Sequence, residues 1–244
     1  MKAVILAGGY GTRLSEYTDL IPKPMVEIGN TPIICHIINT YNKFGIQDFI
    51  IATGYKSNII NSFFKKYSKC IRKKNNYLLL DFKYKRNKIN ISCKLNLVYT
   101  GLNTMTGGRI KRIEKYIDDK NFLLTYGDGL SNIDINKLIA FHSRHKKLAT
   151  LTAVRPPVRF GELSLRGNRV KKFEEKPKLT SGWINGGFFI FNRKIIKFIK
   201  DDNTVLEREP LEKLSNMNQL MAYKHEDFWQ CMDTKRDKDY LEKL

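Results

Sequence analysis

The sequence predicts a doubly wound α/β fold with a mixed, mostly parallel sheet. Two observations lead there. Short apolar runs alternate with amphipathic helical stretches along all 244 residues, and glycines and carboxylates sit directly after several of the apolar runs. In such folds ligands bind beyond the carboxyl ends of strands, which is where these residues fall. Met1 to Ala7 is the first run and suits a central strand covered on both faces. Thr31 is expected to cap a helix with Pro32 at its first position, an apolar stripe of Ile33, Ile34, Ile37, Ile38 and Tyr41, and Gly45 as its stop. Gln47 to Thr53 is the next strand, and Ser57 to Tyr67 carries Ile59, Ile60, Phe63 and Phe64 at helical spacing.

Tyr77 to Lys85 and Lys88 to Thr100 are extended stretches around Arg86-Asn87, expected as a hairpin inserted at about 70–100 between α/β units. Thr106 to Ile117 reads as helix, Phe122 to Tyr126 as strand and Ile133 to His145 as helix. Ala149 to Val154, Leu163 to Phe173 and Trp183 to Phe191 read as strands of the mixed sheet. Helices follow around Lys194 to Lys200 and Arg208 to Leu214. A strand from Leu220 leads to Asp233, where Thr234 and Asp237 form a capping-box start to the last helix. There is no Pro/Ser/Gly linker, internal repeat or low-complexity segment, so residues 1–244 are expected to form a single domain.

No apolar run approaches the length of a membrane span, and the N-terminal run lacks a basic leader and a cleavage site. Cys35, Cys70, Cys93 and Cys231 are scattered without a C-x-x-C, which reads as reduced thiols in a cytoplasmic protein. The four histidines show no metal-ligand spacing. The formal charge is +20, and between Lys65 and Lys94 eleven Lys or Arg face one acid, Asp81, a local excess of +10. A nucleic-acid surface would account for this charge, but no aromatic-basic repeat or helix-turn-helix pattern accompanies it. A solvated lysine-rich face is the expectation, with neither nucleic acid nor membrane as partner.

The chemistry starts at Leu6-Ala7-Gly8-Gly9-Tyr10-Gly11-Thr12-Arg13-Leu14. Glycines after a buried strand let the backbone turn and approach a ligand, and exposed N–H groups in such a turn form an anion site. Arg13, and Lys23 in Pro22-Lys23-Pro24, add fixed positive charge, so the whole describes a polyphosphate cradle. It is not a dinucleotide fingerprint, because Leu14 stands where the third glycine belongs, and no Gly-Lys-Ser/Thr follows to make a P-loop. Asp128, flanked by Gly127 and Gly129 after an apolar strand, and Asp233, at a second strand-to-helix junction, could converge. Each alone reads equally as a turn or capping residue. With phosphate oxygens they make a Mg²⁺ site, since that ion prefers hard oxygen ligands. Asn185-Gly186-Gly187 offers an amide for sugar hydroxyls or, alternatively, a strand bulge.

Leu-Ala-Gly-Gly-Tyr-Gly-Thr-Arg-Leu with Pro-Lys-Pro-Met resembles the signature of sugar-phosphate nucleotidyltransferases. The nearer match is to the glucose-1-phosphate cytidylyltransferases. It is carried by Pro22-Lys23-Pro24-Met25-Val26-Glu27-Ile28-Gly29, Met105-Thr106-Gly107-Gly108-Arg109, Thr125-Tyr126-Gly127-Asp128-Gly129, Glu175-Lys176-Pro177-Lys178, Ile184-Asn185-Gly186-Gly187-Phe188-Phe189 and Phe228-Trp229-Gln230-Cys231-Met232-Asp233-Thr234, in order across nearly the whole chain. The resemblance implies the Rossmann-like fold of nucleotide-diphospho-sugar transferases. It also implies a Mg²⁺-dependent reaction of CTP with α-D-glucose 1-phosphate that gives CDP-glucose and pyrophosphate for surface polysaccharide (O-antigen) sugars. By the same resemblance Leu6, Ala7, Gly8, Gly9, Tyr10, Gly11, Thr12, Arg13, Lys23, Thr104 and Arg109 bind the nucleotide. Lys176, Lys178 and Asn185 bind the sugar phosphate, Asp128 and Asp233 bind the metal, and Arg13, Lys23 and Asp128 are catalytic. A homo-oligomer, a hexamer as in that family, is implied as well.

The chain departs from the family pattern at Tyr10, at Cys231, in the character of its basic insertion and in ending at Leu244 soon after the last motif, which bears on subunit contacts. Base choice does not follow from these residues by physics and comes from the resemblance. Other readings are a related transferase using another nucleotide or sugar phosphate, and a catalytically silent regulatory subunit of the same fold. The silent subunit would be expected to lack Arg13, Lys23 or one of the aspartates, and all are present.

Overall fold

The computed structural model describes residues 1–156, 162–174 and 182–244. Strand β1 (Ala3–Ala7) is buried along its whole length, as a run without polar alternation requires. The glycine loop follows, then a 3₁₀ turn at Thr12–Leu14, a short helix α1 (Ser15–Thr18) and a second 3₁₀ turn at Lys23–Met25. Strands β2 (Glu27–Ile28) and β3 (Thr31–Pro32) pair antiparallel. Thr31 therefore does not cap the next helix. Gly29 and Asn30 both have positive φ, the backbone of a two-residue hairpin turn, which draws Thr31 and Pro32 into the ladder. Helix α2 (Ile33–Asn42) starts one residue later with no side-chain cap.

Strand β4 (Asp48–Thr53) and helix α3 (Ser57–Lys66) lead into three strands, β5 (Ser68–Lys74), β6 (Tyr77–Arg86) and β7 (Ile89–Tyr99). The segment read as an inserted hairpin thus extends the main sheet, and β5 adds an edge strand whose composition, Ser-Lys-Cys-Ile-Arg-Lys-Lys, carries no apolar alternation. A charged edge strand discourages pairing with another chain. Helix α4 (Thr106–Arg112), β8 (Asn121–Tyr126), β9 (Gly129–Ser131), α5 (Ile135–His145) and β10 (Ala149–Val154) follow.

Leu163 to Phe173 is not one strand of the sheet. It is a separate hairpin of β11 (Glu162–Arg166) and β12 (Arg169–Glu174), turned at Gly167, whose φ of +57° favours glycine. Strand β13 (Ile184–Asn192), a 3₁₀ segment at Arg193–Phe198, α6 (Glu209–Asn216) and β14 (Leu220–His225) come next. The stretch after β14 bends away from the sheet, and β15 (Trp229–Cys231) pairs antiparallel with β9. Helix α7 (Lys235–Leu241) begins with the Thr234/Asp237 capping box. Among the described residues no helix is long and apolar enough to cross a membrane.

The main sheet has the order β14-β10-β13-β8-β1-β4-β7-β6-β5, with β13 and β6 running against the other seven strands. Alternate residues of the inner strands face two apolar layers. Ala3, Ile5, Phe49, Ile51, Phe188 and Ile190 meet α2, whereas Val4, Ile50, Phe122, Leu124, Phe189 and Phe191 pack with Ile110, Ile195 and Leu211 on the opposite side. After β1 the chain winds one way, to β4 and β7. After β7 it returns to β8 on the other flank of β1, so the order reverses between β1 and β8 and leaves a crevice there.

Candidate active site

A cavity of about 840 Å³ opens at that crevice, lined by Leu6 to Arg13 after β1 and by Tyr126 to Gly129 after β8. Lys23, Thr104, Arg109, Asn185 and Asp233 line it as well, so the structure brings together every expected site residue that it describes. Lys176 and Lys178 lie outside the described residues.

Four of the charged lining residues form one ion-pair cluster. The Lys23 side chain, held in the 3₁₀ turn between Pro22 and Pro24, is only 10% exposed and donates to Asp128 Oδ2 at 2.7 Å and Asp233 Oδ1 at 2.6 Å. Arg13, largely in solvent, donates to Asp233 Oδ2 at 2.7 Å. Burial pulls the Lys23 ammonium down, but attraction and hydrogen bonds from Asp128 and Asp233 more than offset it, so its pKa stands above the ordinary 10.5. Burial works the other way on Asp233, where the Lys23 hydrogen bond and charge, joined by Arg13, hold the carboxyl below 3.8. Cys231, 3.6 Å from Asp233, is pushed up to about 12 by burial and by the neighbouring carboxylates, so it is a protonated thiol. The two aspartates are 105 residues apart and converge on one ammonium, a geometry that offers hard oxygen donors to a divalent ion among phosphates. Among the described residues no group of three His, Cys, Asp or Glu does so alone.

Arg109, given to the nucleotide by the resemblance, lines the cavity but is only 4% exposed, and its guanidinium threads under the glycine loop. It donates to the carbonyls of Gly8 (2.8 Å), Gly101 (2.8 Å), Thr53 (3.3 Å) and Leu102 (3.3 Å) and to Thr100 Oγ1 (2.7 Å). The passage exists because Gly8 and Gly54 lack side chains: a Cβ on either would sit 2.2 or 2.5 Å from Arg109 Nη1. Arg109 therefore braces the ends of β1, β4 and β7 from beneath the phosphate loop. At the mouth, the Tyr10 hydroxyl donates to Asn103 Oδ1 at 2.6 Å and its ring lies 5.1 Å from that of Tyr55, which links the glycine loop to the loop before α4.

Around the expected Asn185 the cavity also holds Tyr126, Glu207 and Trp229, to which sequence reasoning gave no role. Glu207 accepts from Thr106 Oγ1 at 2.7 Å and from the Tyr126 hydroxyl, and Asn185 Nδ2 donates to that hydroxyl at 3.3 Å. Trp229 Nε1 donates to the Gly186 carbonyl at 2.7 Å, fixing β15 to the start of β13. Tyr126 could have been found beside Asp128 in Thr-Tyr-Gly-Asp-Gly. Glu207, inside Glu207-Arg208-Glu209, looks like any solvated charge and gives no local signal.

No histidine lines the cavity among the described residues. His142 and His145 both bond Thr150, and His36 bonds the Ile28 carbonyl. The cavity therefore supplies phosphate-binding cations, backbone donors and paired carboxylates rather than a nucleophile–base pair. That suits a reaction whose nucleophile is already an anion.

The family model for nucleotidyl transferase matches residues 2–238. The chain belongs to that family and is an enzyme of the nucleotidyltransferase class. Glucose-1-phosphate cytidylyltransferase from Salmonella typhimurium is 49% identical over the whole chain and 95% of its own length. Mannose-1-phosphate guanyltransferase from Hypocrea jecorina is 31% identical over 99% of this chain and 62% of its own length. The solved structure of HddC from Yersinia pseudotuberculosis superposes with a TM-score of 0.73 at 26% identity, covering 99% of this chain and 98% of the other.

Proposed function

We propose that this nucleotidyl transferase joins CTP and α-D-glucose 1-phosphate to give CDP-glucose and pyrophosphate, with Mg²⁺ held by Asp128 and Asp233. The observation that carries the site assignment is the convergence of those two carboxylates on Lys23 beside the glycine loop. The identity to the Salmonella cytidylyltransferase supports the choice of base and sugar. In this reading the 1-phosphate oxygen attacks the α-phosphorus of CTP. Backbone N–H groups of Gly8 to Gly11 receive the triphosphate, Arg13 takes the departing pyrophosphate, and Lys23 neutralises charge at the α-phosphate. Mg²⁺, when bound, withdraws charge from the phosphate oxygens. Lys176 and Lys178 are assigned to the sugar phosphate, with Asn185. The same reading has the enzyme work as a cytoplasmic homo-oligomer that feeds surface-polysaccharide synthesis, in keeping with four unpaired thiols. It has no nucleic-acid or membrane partner.

The experiment is a panel of nucleoside triphosphates against sugar 1-phosphates with Mg²⁺, followed by pyrophosphate release. CTP with glucose 1-phosphate should give the highest kcat/KM. A higher value for another pair would refute the choice of substrates.

A further inference from the structure

Glu207 takes part in none of the steps above, yet it lines the cavity. Three distant stretches are linked here: the loop before α6 supplies Glu207, the end of β8 supplies Tyr126, whose hydroxyl donates to the carboxylate, and the start of β13 supplies Asn185, whose amide donates to that hydroxyl. The array is held in place from behind. Asn185 Oδ1 accepts from the Gly187 N–H at 2.9 Å, and Thr106 Oγ1, which donates to Glu207, itself accepts from the Leu206 N–H at 2.9 Å.

A carboxylate repels phosphate oxygens, so this wall does not bind the polyanion. The cations Arg13 and Lys23 are paired elsewhere in the cavity, with Asp128 and Asp233. Each Glu207 oxygen uses one hydrogen bond here and can accept another, and the phenol and the amide beside it add a mixed donor and acceptor edge. Such an edge suits vicinal hydroxyls. Tyr126 precedes Asp128 by two residues, roughly 7 Å of extended chain. A hexose ring attached directly to a phosphate at Asp128 reaches that far, whereas a nucleobase is set back by its ribose.

We propose that Glu207, together with Tyr126 and Asn185, binds ring hydroxyls of the sugar 1-phosphate and sets the enzyme's choice of sugar. The inference rests on the sugar 1-phosphate transfer reading. Glu207 contacts the sugar itself, and Tyr126 is both a contact and a positioning residue.

The test measures steady-state kinetics of Glu207→Gln, Glu207→Asp and Tyr126→Phe with CTP, glucose 1-phosphate and its 2-, 3-, 4- and 6-deoxy analogues. Loss of a hydrogen bond to a charged group should raise the glucose 1-phosphate KM by about tenfold or more in Glu207→Gln. The CTP KM should stay within about twofold, since the loss is confined to one substrate. At least one deoxy analogue should be poor for the wild type, and its penalty should largely vanish in Glu207→Gln. Glu207→Asp should restore part of it. If both KM values rise together, or every deoxy penalty persists unchanged in Glu207→Gln and Tyr126→Phe, Glu207 is only a clamp between α4 and β8 and the proposal falls. If Glu207→Gln does not fold, Tyr126→Phe, which keeps the ring, decides by the same criterion. Should the wild type prefer another sugar 1-phosphate, the glucose assignment fails, and the deoxy series of that sugar tests Glu207. Absence of turnover with every sugar 1-phosphate overturns both.

Discussion

Replacing Arg109 with Ala tests whether the residue holds a nucleotide directly or holds the loop that does. Its guanidinium makes five hydrogen bonds to protein acceptors, three of them buried, and is itself 4% exposed. Gly8 and Thr53 keep other donors, from Tyr55 N–H and from Thr100, but the Gly101 and Leu102 carbonyls accept no other bond among the described residues. A hydrogen bond to a charged group is worth about 1.5–3 kcal/mol taken singly, and these share two donor nitrogens, Nη1 and Nη2, so they do not add. Desolvation of the guanidinium offsets part of the gain. A net loss of about 3–5 kcal/mol remains, which is large for a single substitution. For a chain of this size that lowers Tm by roughly 6–20 °C. Thermal unfolding followed by circular dichroism at neutral pH reads it directly, and Arg109→Lys should recover only part, because an ammonium cannot span the fork of acceptors. If Arg109→Ala unfolds within about 2 °C of the wild type while the CTP KM rises, the guanidinium acts on the nucleotide and the bracing role is wrong.

Asp128→Asn and Asp233→Asn should each lower kcat by about a hundredfold or more, because weakened metal binding leaves phosphate charge uncompensated; near-normal turnover at saturating Mg²⁺ would remove that carboxylate from the ligand set. The Lys23–Asp233 pair also predicts a pH profile for stability. Asp233 is depressed, so its contribution is complete above 3.8 and is lost as pH falls through its lower folded value. Lys23 is raised, so its contribution holds up to 10.5 and is lost as pH rises past that. The Tm difference between wild type and Lys23→Met should therefore be flat between these limits and change outside them; a change near neutrality would contradict the pairing. Neutralising several lysines between Lys65 and Lys94 should leave turnover at physiological salt unaltered, since exposed charges beyond roughly 10 Å are screened. Tight, length-dependent binding of RNA or DNA that disappears in the variant would show the opposite.

Much of the frame was legible locally. Apolar runs such as Met1 to Ala7 and the stripe of α2 carry their periodicity within a few residues, and that periodicity reports burial on one face or two. The glycine loop was legible for the same reason, since Gly8 to Gly11 and Arg13 act through backbone and charge close by in the chain. Where the reading slipped, a neighbouring turn outweighed it: Gly29-Asn30 drew Thr31 into β3, and Gly167 folded one expected strand into the hairpin of β11 and β12. Strand β5 gave no apolar alternation to read, because an edge strand exposed along most of its length has no face to bury.

What only the tertiary structure decided are the meetings of distant residues. Lys23 joins Asp128 across 105 positions and Asp233 across 210, and Tyr126 meets Glu207 across 81. Arg109 is a buried brace because two glycines just past separate strands, Gly8 after β1 and Gly54 after β4, leave a channel for it. Composition and spacing say which side chains can bind phosphate or hydroxyl. The order of strands around β1 says which of them share one cavity, because that order is set by burial of the whole sheet and is written in no single segment.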